Sequence, residues 1–377
     1  MMTSTKQALQ ALFITIHIHP IYIPLIAYIF GICLPNNSLL IFAGILILGL
    51  TCALVNNSPK KACILLASAF YLFGALAVKY NSYKFENFYT KFGTNTSCDG
   101  TVINIEKHHH LIFKYKVFIK GILYNDQNKE NGTICIYTQK FPQHLQVGDT
   151  MAIEKLKIKK SKNSSFNRYL LKENINATTY ANEIHAQVTH RPQYSWSRFI
   201  WNLKNNNIMR LKKVMSRKCF MMYSSLFLGN RSIVKAELEK HTMDFKAWGI
   251  IHYVARSGLH MVIFSMVLFI LLSSLPFALW IRYVLIILLS CSYALLSWLS
   301  ISFIRAFIMF LFYTISLLLK KYNNALHILV ITCFATLLYN PFYIFFLDFQ
   351  LSFFCTFILA LLNQISLKQK QLPHLRI

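Results

Sequence analysis

Long apolar runs separated by short polar links occupy both ends of the chain, and a polar stretch of roughly 80–247 lies between them. Crossing a hydrocarbon core takes about 20 mostly apolar residues as helix, because each residue rises about 1.5 Å and the backbone must satisfy itself there. That length predicts eight spans, near 14–34, 38–55, 62–78, 249–272, 277–297, 302–319, 324–339 and 342–362. The first, with Pro20 and Pro24, could also be a signal peptide; no small-residue cleavage site follows it, and it reads as a retained span.

Inside the polar stretch the period changes to two. Thr101–Ile105, Phe113–Ile119, Thr133–Tyr137 and Thr150–Ile153 alternate, and they are broken by Gly121, Asn131-Gly132 and Gly148-Asp149. Short alternating runs between turn signals predict antiparallel strands closing into a small barrel. Behind them Trp196, Phe199, Ile200, Leu203, Ile208, Leu211, Val214 and Met215 recur at helical spacing, with Arg198, Lys204, Arg210, Lys212, Lys213, Arg217 and Lys218 in the gaps. This predicts an amphipathic basic helix suited to a membrane surface, with a nucleic-acid contact as the sharper alternative.

The expected fold class is therefore mostly α, a polytopic helical membrane protein with an inserted small β-barrel domain. Three N-terminal helices fill 1–79, the β domain 80–195, the basic helix and a linker 196–247, a second helical bundle 248–365 and a tail 366–377.

Composition sharpens this picture. Of 377 residues 55% are hydrophobic and only 14% charged, too apolar for an ordinary soluble domain of this length. The stretch 80–247 holds 27 Lys and Arg against 12 of the 13 acids, and Asp348 is the remaining one. Such charge suits phosphates or anionic lipid, or it reflects A+T-biased coding. Lys and Arg concentrate in cytoplasmic loops. Lys6, Lys60–Lys61, Arg282, Lys320–Lys321, Lys368, Lys370 and Arg376 then place both termini in the cytoplasm and residues 80–247 outside it. Six of nine cysteines lie in predicted spans, and Cys98 and Cys135 fall in the outer domain, where they are either a disulfide or two buried thiols. His108-His109-His110 has no Cys or acid at ligand spacing and reads as a hairpin tip, so neither metal nor cofactor is expected.

Polar groups within a bilayer are costly and mark function. The densest group is Gly249 to His260, where His252, Arg256 and His260 share a helical face and Ser257-Gly258 could break the helix, baring amides that could receive a phosphate. This segment resembles the G-x-x-H-L-L-A-x-S-G-L-H motif of the ComEC competence family. Leu228-Gly229-Asn230-Arg231 is similar to its LGDR, and Ser300 through Met309 to S-P-S-x-x-R-A-x-x-M. Asn340-Pro341 with Phe349-Gln350-Leu351-Ser352-Phe353 is similar to N-P … G-F-Q-L-S-F. In the outer domain Asn163-Ser164-Ser165-Phe166, Tyr169-Leu170 and Asn174-Ile175-Asn176-Ala177-Thr178 resemble the end of the family's extracytoplasmic OB-like domain. Asn230, Arg256, Trp298 and Asp348 depart from the family pattern, two of them at glycine positions.

The resemblance implies a bacterial inner-membrane DNA-uptake channel in a short form, without the metallo-β-lactamase-like domain many members carry. Single-stranded DNA and membrane lipid are the implied partners, with a second copy or further competence proteins. The expected DNA pathway is His252, Arg256, Ser257, Gly258, His260, Arg305, Gln350 and Ser352, with the last two hydrogen-bonding across helices. No catalytic residue is expected, since no Ser, His and Asp combination has hydrolase spacing. The alternative is a non-transporting remnant or membrane interaction protein of the same family.

Overall fold

The computed structural model describes residues 22–33, 59–92, 96–107, 113–125, 127–140, 145–182, 184, 186–229, 234–249, 258–298, 300–320 and 324–371. Helices predominate, and the chain divides into two compact units, residues 82–307 and residues 1–81 with 308–377.

The second of these units is helical. It holds α1 (Tyr22–Cys33), most of α2 (Pro59–Lys91), the end of α9 (Ile301–Leu318), α10 (Ala325–Tyr339) and α11 (Leu347–Gln371). Close approach of α1 and α2 depends on Gly31 and Gly74. A Cβ on Gly31 would stand 2.1 Å from the Tyr71 carbonyl oxygen, and one on Gly74 2.6 Å from that of Tyr28. Small residues let helix backbones meet in this way. Tyr28 fills the crossing, donating its hydroxyl to the Leu337 carbonyl at 3.2 Å while Phe334 meets it edge-on at 5.6 Å. The predicted span 342–362 is broken: Asn340 caps a 3-10 turn at Pro341–Phe345, and α11 begins only at Leu347.

Residues 82–307 contain the sheet. Its strands are β1 (Thr96–Lys107), β2 (Tyr115–Tyr124), β3 (Lys129–Thr138), β4 (Thr150–Leu156), β5 (Ala177–Ala181) and β6 (Ala186–His190), in the order β5-β3-β2-β1-β4-β6. The expected closed barrel is not formed. The sheet is open, with β5 and β6 at its two edges, and β5 runs parallel to β3 rather than antiparallel. Closure would need the edge strands to pair with each other, but β5 pairs with β3 and β6 with β4, and β6 is a short strand that sets only Ala186 and Val188 against the core.

One face of the sheet covers a core of Phe88, Phe92, Val102, Val117, Ile119, Leu123, Ile134 and Met151. The other face carries Cys135 and Tyr137 under α3 (Ser164–Lys172). Two of the sequence motifs are structural here. Asn163 caps α3 by accepting from the amides of Ser165 and Phe166 at 2.9 and 3.2 Å. Asn176 pins the start of β5 to β3, its side chain accepting from the Thr133 amide at 2.8 Å and its own amide donating to the Thr133 carbonyl at 2.8 Å. Asp149, fully buried, accepts from Arg191 Nη2 at 2.9 Å, Arg198 Nη2 at 2.6 Å and the Gln146 amide at 2.9 Å. That node ties the β4 turn to the end of β6 and the start of α4 (Trp196–Val214).

Cys98 and Cys135 are free and buried in the structure, which corrects the disulfide reading. Cys98 faces Leu123 on β2, whereas Cys135 faces Phe118, so the two are two strands apart and five residues offset along β2. They also belong to opposite faces. At about 4.8 Å per strand and 3.3 Å per residue this far exceeds disulfide reach. Burial pushes both thiols up to about 12. Neither is therefore expected to react with maleimide at pH 7.5 in the folded chain, and both should react after denaturation; prompt labelling of either in the native protein would contradict the placement.

The predicted amphipathic helix forms as α4, but its apolar stripe divides. Ile208 is buried and Ile200, Leu211 and Met215 are half-buried, while Trp196, Phe199, Leu203 and Val214 are exposed. The linker expected behind it is largely structured, as α5 (Arg217–Tyr223), a π turn (Ser224–Leu228) that ends on Gly229 at φ +72°, and α6 (Lys235–Ala247). Then come α7 (Gly258–Ser273), α8 (Leu279–Leu296) and the first residues of α9.

Among the described residues three helical segments, Leu279–Leu296, Ile301–Leu318 and Leu347–Gln364, are long and apolar enough to cross a membrane. Tyr22–Cys33, Gly258–Ser273 and Ala325–Tyr339 are shorter apolar helices. The predicted span 38–55 lies outside the described residues.

Candidate nucleic-acid interface

Two arrangements in residues 82–307 combine charge with shape. The first is the crossing of α7 and α9. Gly258 opens α7, and a Cβ there would stand 3.1 Å from both the Ala306 Cβ and Arg305 Nη2. Absence of a side chain at 258 thus brings the α7 backbone against the Arg305 guanidinium. His260, half-buried, follows two residues into α7. Aromatic rings hold these helices together: Tyr293 of α8 packs on Phe264 of α7 at 4.5 Å and edge-on to Phe303 of α9 at 5.6 Å, and its hydroxyl donates to the Phe227 carbonyl at 2.8 Å.

The second is a row of side chains running straight across the sheet. In register, Glu106 of β1 faces Lys116 of β2, Lys116 faces Tyr137 of β3, and Tyr137 faces Tyr180 of β5. Directly opposed residues share a face and interact. Lys116 Nζ lies 5.3 Å from the Tyr137 ring centre and 6.0 Å from that of Tyr169, near enough for cation–π attraction. Tyr180 stacks on Tyr137 at 5.0 Å and 20°, and Phe113 leans on Tyr180 at 5.2 Å. Tyr137 is covered, whereas Tyr180 is 57% exposed at the β5 edge.

The opposite end of the row meets the loop between α8 and α9. Glu106 accepts from Asn104 Nδ2 at 2.8 Å, shares a side-chain hydrogen bond with Trp298, and lies within the field of Lys116 and Lys204. Burial raises the Glu106 carboxyl above the usual carboxylate range, and Lys116 is the largest influence opposing it. Lys204 of α4 sits 5.4 Å from the Trp298 ring and donates to the Ser297 carbonyl at 3.3 Å, while the Trp298 amide donates to the Leu228 carbonyl at 2.8 Å. Trp298 thus joins the sheet, α4, the π turn and the loop that opens α9.

The expected pathway residues do not form one group. Gly258 and Arg305 come together, and His260 lies on the same helix as Gly258. His252, Arg256 and Ser257 lie outside the described residues. Gln350 and Ser352 belong to the other unit. The Gln350 side chain donates at 2.7 Å to the Ile344 carbonyl six residues earlier, where a bond across helices was expected, and the Ser352 carbonyl accepts from Thr356 Oγ1 at 2.9 Å within α11. Sequence reasoning missed the row. Lys116 and Tyr137 occupy alternate positions of predicted strands, but their alignment depends on register, and β5 was not predicted as a strand.

With this geometry established, comparison with known proteins adds one finding. Residues 226–377 match the family model described as competence protein. The matched region begins two residues before the end of the π turn and takes in α6 to α11. It supports a ComEC-type competence protein and, with the apolar helices, a membrane protein. No curated protein and no solved structure matches the chain.

Proposed function

We propose that the chain is an inner-membrane component of DNA uptake that conducts single-stranded DNA into the cytoplasm, acting as a conduit rather than an enzyme. The observation that carries this reading is the competence match over residues 226–377, in which Gly258 meets Arg305. In this reading both termini are cytoplasmic and residues 80–247 face the side from which DNA arrives. The contact of Glu106 and Lys204 with Trp298 supports a shared side, since it joins the sheet to the end of an apolar helix. Arg305 then meets phosphates, with His252, Arg256, Ser257 and His260 along the route. The exposed apolar stripe of α4, beside Arg210 and Lys213, rests on anionic lipid, and a second copy or further competence proteins complete the channel.

Trp298 bears on the alternative of a non-transporting remnant. It stands where the resemblance leads one to expect glycine, yet it occupies a loop with its backbone and its side chain both bonded. That substitution therefore does not argue for lost packing.

The test is uptake of labelled DNA by cells expressing Arg305→Ala or His260→Ala at wild-type abundance. A loss of at least about tenfold in each is expected for removal of a phosphate or pathway contact. Normal uptake in both overturns the assignment. Movement of labelled single-stranded DNA into vesicles containing this chain alone separates a conduit from a remnant.

A further inference from the structure

We propose that the β5 end of the cross-sheet row is a base-stacking subsite, in which Tyr180, supported by Tyr137 and flanked by Phe113, takes a base of single-stranded DNA. The inference rests on the DNA-uptake reading and adds to it a place on the outer sheet and a mode of contact.

Three observations carry it. Tyr180 is a large aromatic left 57% exposed, and its ring is held: Tyr137 lies under it at 5.0 Å and 20°, and Phe113 lies against it at 5.2 Å. Tyr137 is in turn held by Lys116. A ring fixed in this way loses little rotamer freedom when a base stacks on it, so the ordering cost of binding is reduced. The charge around it also suits a polyanion. Lys114, next to Phe113, and Lys140, two residues beyond the end of β3, are exposed at the same end of the sheet, where the Lys114 amide donates to the Thr138 carbonyl at 2.9 Å. The carboxylates felt by Tyr169 are Glu173 and Glu106, and Glu106 stands at the opposite end of the row from Tyr180. Finally, the row leads from Tyr180 through Lys116 to Trp298 and the loop that opens α9, the helix bearing Arg305. Aromatic faces beside lysines bind single strands without regard to sequence, because every base offers a π face.

The experiment uses the full chain in detergent micelles and fluorescein-labelled dT12, read by anisotropy at fixed salt. Tyr180→Ala is expected to weaken binding about fivefold or more, Phe113→Ala less, and Tyr180→Phe less than about twofold, since stacking survives loss of the hydroxyl. Tyr194→Ala, at another exposed aromatic, should leave the affinity unchanged. An abasic dodecamer, with phosphates but no bases, should bind the wild type and Tyr180→Ala alike.

Equal dT12 affinity for the wild type and Tyr180→Ala overturns the proposal and is the result expected if lipid covers the patch. An equal loss on the abasic strand also overturns it, by showing a general disturbance of the sheet. If the wild type does not bind dT12, the subsite is overturned, while the uptake reading still stands or falls by the Arg305 and His260 variants.

Discussion

Asp149→Ala should lower the unfolding free energy of the sheet-bearing unit by about 2–4 kcal/mol, the range for removing one partner from a buried ionic node. The Asp149 side chain is completely buried and receives two guanidinium groups and a backbone amide. Without it Arg198, 16% exposed, keeps its bonds to the Val147 and Pro192 carbonyls but loses its counter-charge. Arg191, 48% exposed, can turn to water, which keeps the cost below that of two stranded cations. The measurement is pulse proteolysis of the full chain across a urea series. Glu130→Gln is the contrast, because the Lys91–Glu130 pair is partly exposed on both sides and should be worth no more than about 1 kcal/mol. Equal midpoints for the two variants would show that Asp149 is not the node described.

The sequence exposed some layers of this structure and hid others, for physical reasons. Apolar run length found the helices 279–296, 301–318 and 325–339 to within about two residues, because a bilayer demands length and the bundle tolerates many packings. Period-two alternation found β1 to β4 from their alternating sequences, although β3 buries both faces from Ile134 to Thr138. It did not find β6, a five-residue strand whose inward Ala186 and Val188 are only half-buried, and it did not separate β5 from the loop before it. Closure into a barrel was inferred from the short alternating runs and the turn signals between them, yet closure depends on which edges pair, and that depends on contacts far apart in the chain. The same limit hid the row. Glu106, Lys116, Tyr137 and Tyr180 are spread over more than 70 residues and align only through three successive registers. Likewise α4 shows helical spacing without showing that half of its apolar residues face inward and half outward.

Gly258→Val should reduce DNA uptake by more than about tenfold at unchanged membrane abundance, because overfilling a tight contact costs about 1–3 kcal/mol or shifts the helix. The two obstacles at this crossing differ in kind. Ala306 Cβ is fixed to the α9 backbone, so a neighbour 3.1 Å away can be relieved only by moving one helix relative to the other. Arg305 Nη2, also at 3.1 Å, is the far end of a flexible side chain and can swing aside, at the cost of its position. Gly258→Ala should therefore impair uptake moderately, and adding Ala306→Gly should restore most of it by removing the rigid obstacle. Arg305→Ala should not rescue Gly258→Ala, although it also makes room, because it removes the charge that the crossing presents. Restoration by Ala306→Gly without restoration by Arg305→Ala would separate packing at Gly258 from chemistry at Arg305. Equal rescue by both would reduce Arg305 to a spacer and remove the phosphate-meeting role assigned to it.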